Sequence, residues 1–437
     1  MTRTRRKPMD RDSATPPAGD ADGHGTPGYR ALVLAMLLLV YIFNFIDRQI
    51  LGILAVPVKA ELGLTDTQLG LLGGIAFALL YSTAAVPLGW LADRTSRTWV
   101  ITGALVVWSG FTALCGVAQN FWTLFLCRLG VGVGEAGGVA PSFSLISSYF
   151  PARQRARALA VYSLGIPVGS ALGVLFGGYI AAHIDWRAAF IVVGLAGILL
   201  APLFRLVVRE PRQRQEATVA ADLRLGPVLV MLAGKPSFWL LAFGAASSSI
   251  VGYGLAFWVP SVLQRSFGLD IVGTSQFLGA LLAAGGIAGV MLGGVLGDKL
   301  GRGNRRMLVG VPALSFLVAV PLFAMGIMSQ TLSWGMFLLM LVPMALGYVW
   351  LAPVISAVQH LVHPRMRATA VASFLFINNL LGPGLGTFML GWMSDLLLPI
   401  YPEEGLRYAM LFSLAFYLLA ALLMALAART LPQDWVE

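Results

Sequence analysis

Along the chain, runs of about twenty apolar residues alternate with short polar or charged segments. A helix needs about that length to cross a bilayer, where no water is present to satisfy open backbone groups. The runs predict spans at 31–57, 69–92, 99–118, 121–149, 158–181, 188–208, 237–263, 274–297, 307–328, 333–361, 368–396 and 406–428. The longest internal polar stretch, 209–236, falls between the sixth and seventh. The expected fold class is therefore an all-α membrane protein of twelve transmembrane helices in two pseudo-symmetric six-helix bundles. Residues 1–30 read as a disordered basic tail, 31–208 as the first bundle, 209–236 as a linker, and 237–437 as the second bundle with a short tail.

Composition agrees: 58% of residues are hydrophobic and 11% charged, against roughly a quarter charged in soluble domains. A formal charge of +10 raises the question of nucleic acid, since basic chains bind phosphate backbones. The distribution excludes it. Of 30 Lys and Arg, only Lys59, Arg187, Arg265 and Arg407 fall in loops on the side away from the termini. By the positive-inside rule both termini are expected in the cytoplasm of a cell with this protein in its bacterial inner membrane. Residues 1–30 lack the apolar core of a signal peptide and read as topology determinants or a tail near anionic lipid. Cys115 and Cys127 lie inside spans, and His24, His183, His360 and His363 show no ligand spacing, so neither a disulfide framework nor a metal or cofactor is expected. No nucleophile elbow or phosphate loop is present, which argues against an enzyme.

The halves repeat. Gly89-Trp-Leu-Ala-Asp93-Arg94-Thr-Ser-Arg97 follows span 2, and Gly294-Val-Leu-Gly-Asp298-Lys299-Leu-Gly301-Arg302 follows span 8. Both read G-x-L-x-D-[RK]-x-x-R. A second pair follows spans 4 and 10, Arg153-Gln-Arg155-Ala-Arg157-Ala matching Arg365-Met-Arg367-Ala-Thr-Ala. Two matches at nearly equal offset imply duplication, and an even number of spans per repeat keeps both halves in one orientation. The signature resembles the loop signature of the major facilitator superfamily, over nearly the whole chain. That resemblance implies two bundles rocking around a central cavity that opens alternately to each side. Asp93 and Asp298 sit near helix ends among Arg94, Arg97, Arg153, Arg155, Lys299, Arg302, Arg365 and Arg367, where carboxylate and guanidinium can pair bidentately. They are expected to latch the cytoplasmic side; the alternative is that the arginines only set topology.

Small residues recur every fourth position in three spans: Gly165, Gly169, Gly173 and Gly177; Gly285, Gly289, Gly293 and Gly297; and Gly70, Gly74, Ala78 and Ser82. In lipid such stripes let helix backbones approach closely. The expected pairings are helix 5 on helix 8 and helix 2 on helix 11, with the stripes as a sliding seam and bulky residues at Gly169 or Gly289 slowing movement before they unfold the protein.

Only Asp47, Arg48, Arg128 and Glu135 put charge deep inside spans. A charge at the bilayer centre costs from about 2.5 to 3.5 kcal/mol upward, so such residues usually face a cavity or a partner. Arg128 and Glu135 share a face of span 4 about 10 Å apart along the axis. Asp47 and Glu135 are expected to compete for Arg128, protonation of one carboxylate freeing it for an anionic substrate group. Arg48, about 100° around the helix from Asp47, reads as an interface residue. The second half offers no such charges but supplies Tyr253, Phe257, Trp258, Tyr348, Trp350, Phe374, Asn378 and Asn379. Of these Tyr253, Trp350 and Asn378 are expected to join Arg128 at the substrate.

Phe43-Asn-Phe-Ile-Asp47-Arg48 and Arg128-Leu-Gly-Val-Gly-Val-Gly-Glu135-Ala resemble the Spinster branch of the superfamily. The resemblance implies proton-linked movement of lysophospholipids or of a sphingolipid phosphate, with Asp47, Arg128 and Glu135 as cavity charges. The same segments partly resemble organic anion symporters and drug exporters. The expectation is a secondary active transporter, proton-coupled, for an amphipathic lipid-like substrate, with membrane lipids and protons as its other partners, working as a monomer. The alternatives are a proton-coupled multidrug or organic anion transporter and a non-transporting receptor.

Overall fold

The computed structural model describes residues 25–211, 225–301, 304–363, 366–402 and 404–436. Among these, twelve helices are long and apolar enough to cross a membrane: Pro27–Ile53, Asp66–Arg94, Arg97–Cys115, Phe121–Tyr149, Arg153–His183, Trp186–Val207, Pro236–Phe267, Ile271–Gly297, Met307–Ile327, Trp334–Gln359, Thr369–Leu397 and Gly405–Asp434. They are spans 1 to 12 below. No strand occurs among the described residues. Most of the basic tail and residues 212–224 of the linker lie outside them.

Short loops are set by local chemistry. Asn120, Asp185 and Ser333 accept hydrogen bonds from the first-turn amides of spans 4, 6 and 10, satisfying donors that a helix start leaves open. Gly63 and Gly268 take left-handed φ of +63° and +64°, which only glycine adopts without strain. They end the helical run after span 1 and span 7 and lie 205 residues apart, the same offset as the Asp93/Asp298 repeat.

Span 5 begins earlier than its apolar run. Arg153, Arg155 and Arg157 stand exposed on its first turns, because arginine can continue a helix while holding its charge in water. Span 12 likewise runs on to Asp434, beyond the predicted end at 428. Its last turn is pinned to the second bundle: Lys235 Nζ donates to the Asp434 carbonyl at 2.6 Å and Trp435 stacks on His360 at 4.4 Å. Span 2 is broken at Gly74, where φ −113° and ψ −87° leave the helical region between Asp66–Gly73 and Ile75–Arg94.

Helix 5 does pack on helix 8, and helix 2 on helix 11, but the glycine stripes of helices 5 and 8 are not that seam. A Cβ at Gly169 would sit 2.5 Å from the Ile42 carbonyl oxygen, and Gly173 faces Ile46 in the same way, so the stripe of span 5 lies on span 1. Gly289 and Gly293 press on the Ala345 and Val349 carbonyls of span 10, leaving no room there for a methyl group. Both contacts are internal to one bundle. The seam uses the face next to it: Gly178 meets Ser275, Gly279 meets Leu175 and Gly286 meets Pro167. Adjacent residues on a helix are 100° apart, so Gly177 and Gly178, or Gly285 and Gly286, address different neighbours. Span 2 is the exception, since Gly70 and Gly74 do abut Thr387 and Gly384 of span 11.

The stripes of spans 5 and 8 therefore cement rigid bundles. Gly169→Ala and Gly289→Ala each force a methyl against a backbone oxygen, and overpacking of this kind costs about 1–3 kcal/mol. Both are expected to lower the melting temperature of the purified protein while the folded fraction keeps its transport rate. An unchanged melting temperature with slowed transport would restore the stripes to the seam.

Candidate functional site

Between the halves lies a narrow, partly open cavity, lined on one side by Arg48, Gln49, Gly73, Phe77 and Arg128 and on the other by Tyr253, Phe257, Pro383 and Thr387. Its lining is cationic on the first half and aromatic on the second.

The charged residues of spans 1 and 4 meet, with partners other than those expected. Arg48 Nε donates to Glu135 Oε2 at 2.8 Å, with the Glu135 side chain fully buried. The Arg48 guanidinium is caged by the rings of Phe45, Phe77 and Tyr81 at 4.9, 4.8 and 4.6 Å, a placement that favours a cation. Arg128, for which Asp47 and Glu135 are expected to compete, donates instead to two backbone carbonyls, Leu72 at 3.3 Å and Asp47 at 3.4 Å. Both carboxylates remain within its electrostatic reach. Asp47, 1% exposed, points into the bundle toward Trp108 and Thr112. The 100° between Asp47 and Arg48 thus separates a carboxylate facing the bundle interior from a guanidinium facing the cavity. Arg48 was set aside because its face differs from that of Asp47, and that face is the cavity.

In the second half, Tyr253 lines the cavity. Trp350 and Asn378 do not. Trp350 packs edge-on to Phe374 at 6.2 Å, and Asn378 Oδ1 accepts from Ser249 Oγ at 2.9 Å, within the bundle. Phe257 and Thr387 take their place. Phe257 fills the space beside Gly52 and Gly73, and Thr387 Oγ1 donates to the Gly70 carbonyl at 3.1 Å.

Hydrogen bonds and ion pairs joining the halves among the described residues cluster at the face opposite the termini. Arg265 Nη1 and Nη2 hold the two oxygens of Asp66 at 2.8 and 2.9 Å. Lys59 Nζ adds 2.6 Å and Ser394 Oγ 2.8 Å, so Asp66, 2% exposed, sits in a nearly complete cage. Asp395 then accepts from the amides of Asp66 and Thr67 and from Thr67 Oγ1 at 3.2, 2.7 and 2.6 Å, capping the start of span 2 with a charge from span 11. This lock was invisible in the sequence, where Lys59, Asp66, Arg265 and Asp395 stand at span ends as ordinary loop charges do.

At the terminus face the expected latch of Asp93 with its arginines is not formed among the described residues. Asp93 is exposed, and its carboxylate has no hydrogen bond or ion pair among the described residues. Its neighbours are drawn elsewhere: Arg94 lies 4.0 Å over the Trp90 ring, and Arg155 Nε donates to the Phe150 carbonyl at 2.9 Å. Arg97 reaches Glu210 at 2.8 Å and the hydroxyls of Ser144 and Ser148 at 2.9 and 2.8 Å. Arg153 and Lys299 are exposed and Arg367 half-buried. Arg302, Arg365 and the side chain of Asp298 lie outside what the structure describes. Glu210, just past span 6, also accepts from the Thr98 amide and Ser96 Oγ, each at 2.9 Å. Partial burial pushes its carboxyl up, but these donors outweigh burial and hold it below the usual glutamate value.

Comparison with known proteins follows the geometry. The family model described as Major Facilitator Superfamily matches residues 37–387. An MFS-type efflux pump of Mycolicibacterium smegmatis is 33% identical over 418 residues, covering 95% of this chain and 96% of that one. The human protein spinster homolog 1 is 30% identical over 408 residues, 87% of this chain and 76% of that one. Among solved structures, a bacterial homologue of the human lysosomal transporter Spinster, crystallised inward-facing and unoccupied, is similar with a TM-score of 0.84 and 29% identity, over 94% of this chain and all of that one.

Two outcomes follow. Asp66→Asn strips the cage of its charge beside Arg265 and Lys59, and truncating one partner of a buried hydrogen-bonded pair costs on the order of 2–5 kcal/mol. Cysteines placed at the mouth of that face are expected to become accessible to a membrane-impermeant thiol reagent; unchanged accessibility would show that the cage is not the lock. The second concerns pH. A carboxyl held below its unfolded value stabilises fully at neutral pH and loses that contribution as pH falls through the lowered value. The protection of the Thr98 amide against hydrogen exchange, corrected for the amide's own pH dependence, is expected to fall only on acidification below the ordinary glutamate range, and Glu210→Gln should remove that step.

Proposed function

The chain belongs to the major facilitator superfamily as a Spinster-like membrane transporter, and on that premise we propose that it couples proton movement to transport of an amphipathic, lipid-like anion by alternating access. The observation that carries the reading is the buried Arg48–Glu135 pair at the wall of the cavity. A proton on Glu135 cancels the charge that holds Arg48. The guanidinium, already facing the cavity, is then free for an anionic headgroup, while Arg128 stays beside it. Phe77, Tyr253, Phe257 and Pro383 give the rest of the lining an apolar surface suited to a hydrocarbon body.

The lock at Asp66 and an Asp93 carboxylate without a partner among the described residues support a conformation open toward the termini, as in the similar Spinster homologue. With the positive-inside distribution, that face is the cytoplasm and the membrane a bacterial inner membrane. A second reading, export of drugs or organic anions, draws on the likeness to an MFS-type efflux pump.

Purified protein in liposomes separates them. Asp47→Asn and Glu135→Gln are expected to abolish substrate-dependent proton flux while equilibrium exchange of substrate survives. Flux equal to wild type in both variants would end the coupling scheme. A panel of lysophospholipids against cationic dyes divides the two substrate classes, and the two-arginine wall favours the anions.

A further inference from the structure

The interior of the first bundle holds polar side chains around the two carboxylates of that scheme. Asn44, Asp47, Trp108, Thr112 and Glu135 are each at most 2% exposed. Asn44 Oδ1 and Nδ2, Asp47 Oδ1, Trp108 Nε1, Thr112 Oγ1 and Glu135 Oε1 make no hydrogen bond. They are also neighbours. Asn44 and Asp47 lie one turn apart on span 1, and Trp108 and Thr112 one turn apart on span 3. Gly134 brings span 4 against the backbone of Trp108, one residue before Glu135. Trp108 and Thr112 face the Asp47 carboxylate and Asn44 faces Glu135, in each case short of hydrogen-bond geometry.

Buried polar groups are ordinarily satisfied, and where protein partners fail, bound water or an ion supplies them. The chemistry of this set discriminates between the two. A hard cation takes oxygen ligands only. Here Trp108 Nε1 and Asn44 Nδ2 present N–H groups, and Arg48 and Arg128 stand close by. Water, which both donates and accepts, fits the mixture.

We propose that Asn44, Trp108 and Thr112 hold a chain of internal water that joins Asp47 to Glu135 and carries the coupling proton between them. The inference rests on the proton coupling proposed above. The balance is simple. A proton on Asp47 passes to the adjoining water, each water hands one proton on, and the last protonates Glu135. Asp47 is left ionised near Arg128, Glu135 becomes neutral, and Arg48 loses its counter-charge. Trp108 can only donate, so it is a positioning residue that fixes a water oxygen; Thr112 and Asn44 can do both.

Radiolytic hydroxyl labelling of the intact protein in nanodiscs tests for the water directly, because radicals form where water is bound. Trp108 is expected to be oxidised. Trp258, equally buried but with Nε1 donating to the Thr387 carbonyl at 2.8 Å, should stay unlabelled. A Trp108 no more labelled than Trp258 would overturn the proposal. The proton's path is read by infrared spectroscopy after a pH jump, the carboxylic acid band of Glu135 being identified by its loss in Glu135→Gln. Trp108→Phe and Thr112→Val keep shape but remove the polar group, and the rise of that band should slow in both. A rise as fast as in the wild type would reject the chain as the route. Substrate-driven flux in the wild type with Trp108 unlabelled would sink the chain alone. A labelled Trp108 with no flux would sink the coupling reading and with it the chain's task.

Discussion

A guanidinium at the cavity wall and the carboxylate buried behind it, Arg48 on Glu135 at 2.8 Å, form the constraint around which the rest is arranged. Neither charge alone is tolerable at membrane depth. Together they are satisfied only while both remain charged, and removing either charge strands the other. Such a pair is a poor brace and a good switch. Span 1 also gives it mechanical reach: four residues beyond Arg48, Gly52 lies against Phe257 of the second half, and beyond the end of the span Lys59 grips Asp66 in the lock of the far face. A shift of span 1 driven at Arg48 is therefore felt at both the cavity and the gate.

Force can travel that way because the bundles are stiff and the seam is not. Within each bundle, glycines allow backbone to touch backbone: span 5 on span 1, span 10 on span 8, and, in corresponding positions, Gly132 of span 4 on Phe77 of span 2 and Gly386 of span 11 on Ile250 of span 7. Close packing of this kind does not deform gradually. Across the seam, glycines of spans 2, 5 and 8 also allow close approach, and the charged ties are gathered at one face, around Asp66 and Asp395. Charged and capping groups can exchange their partners for water when a gap opens. In the proposed alternating access, two stiff bodies tied by charges at one rim can rock.

Much of this was legible before the structure and some was not, for physical reasons. The spans, the two halves and the isolation of Asp47, Arg128 and Glu135 follow from hydropathy and the cost of buried charge. Tyr253 was foreseen at the cavity on aromatic character alone, and the same argument misplaced Trp350, because aromatic residues serve packing as readily as ligands. Arg48 was dismissed by helical phase, yet phase tells which residues share a face and not which face looks inward. The glycine stripes suffered the same ambiguity: a four-residue repeat marks a face for close approach without naming the helix that approaches. The Asp66 cage and the Glu210 cap lie at span ends, where charge is ordinary, and only three-dimensional proximity distinguishes a lock from a loop.

The two cavity arginines illustrate how partner chemistry assigns roles within the proposed cycle. Arg128 is anchored to the carbonyls of Leu72 and Asp47, acceptors that do not titrate, so its position is independent of proton arrival. One of those carbonyls ends the helical turn before the break at Gly74, where the missing helical bond leaves an acceptor open. Arg48 is anchored to a carboxylate, whose hold vanishes with one proton. A constant cation beside a variable one gives an anionic headgroup a fixed first contact and a second contact only when a proton is present. Affinity for such a group then rises with protonation, and by reciprocity the bound anion favours the protonated state. Coupling in this scheme requires no direct contact between proton and substrate, only that both act on the same guanidinium.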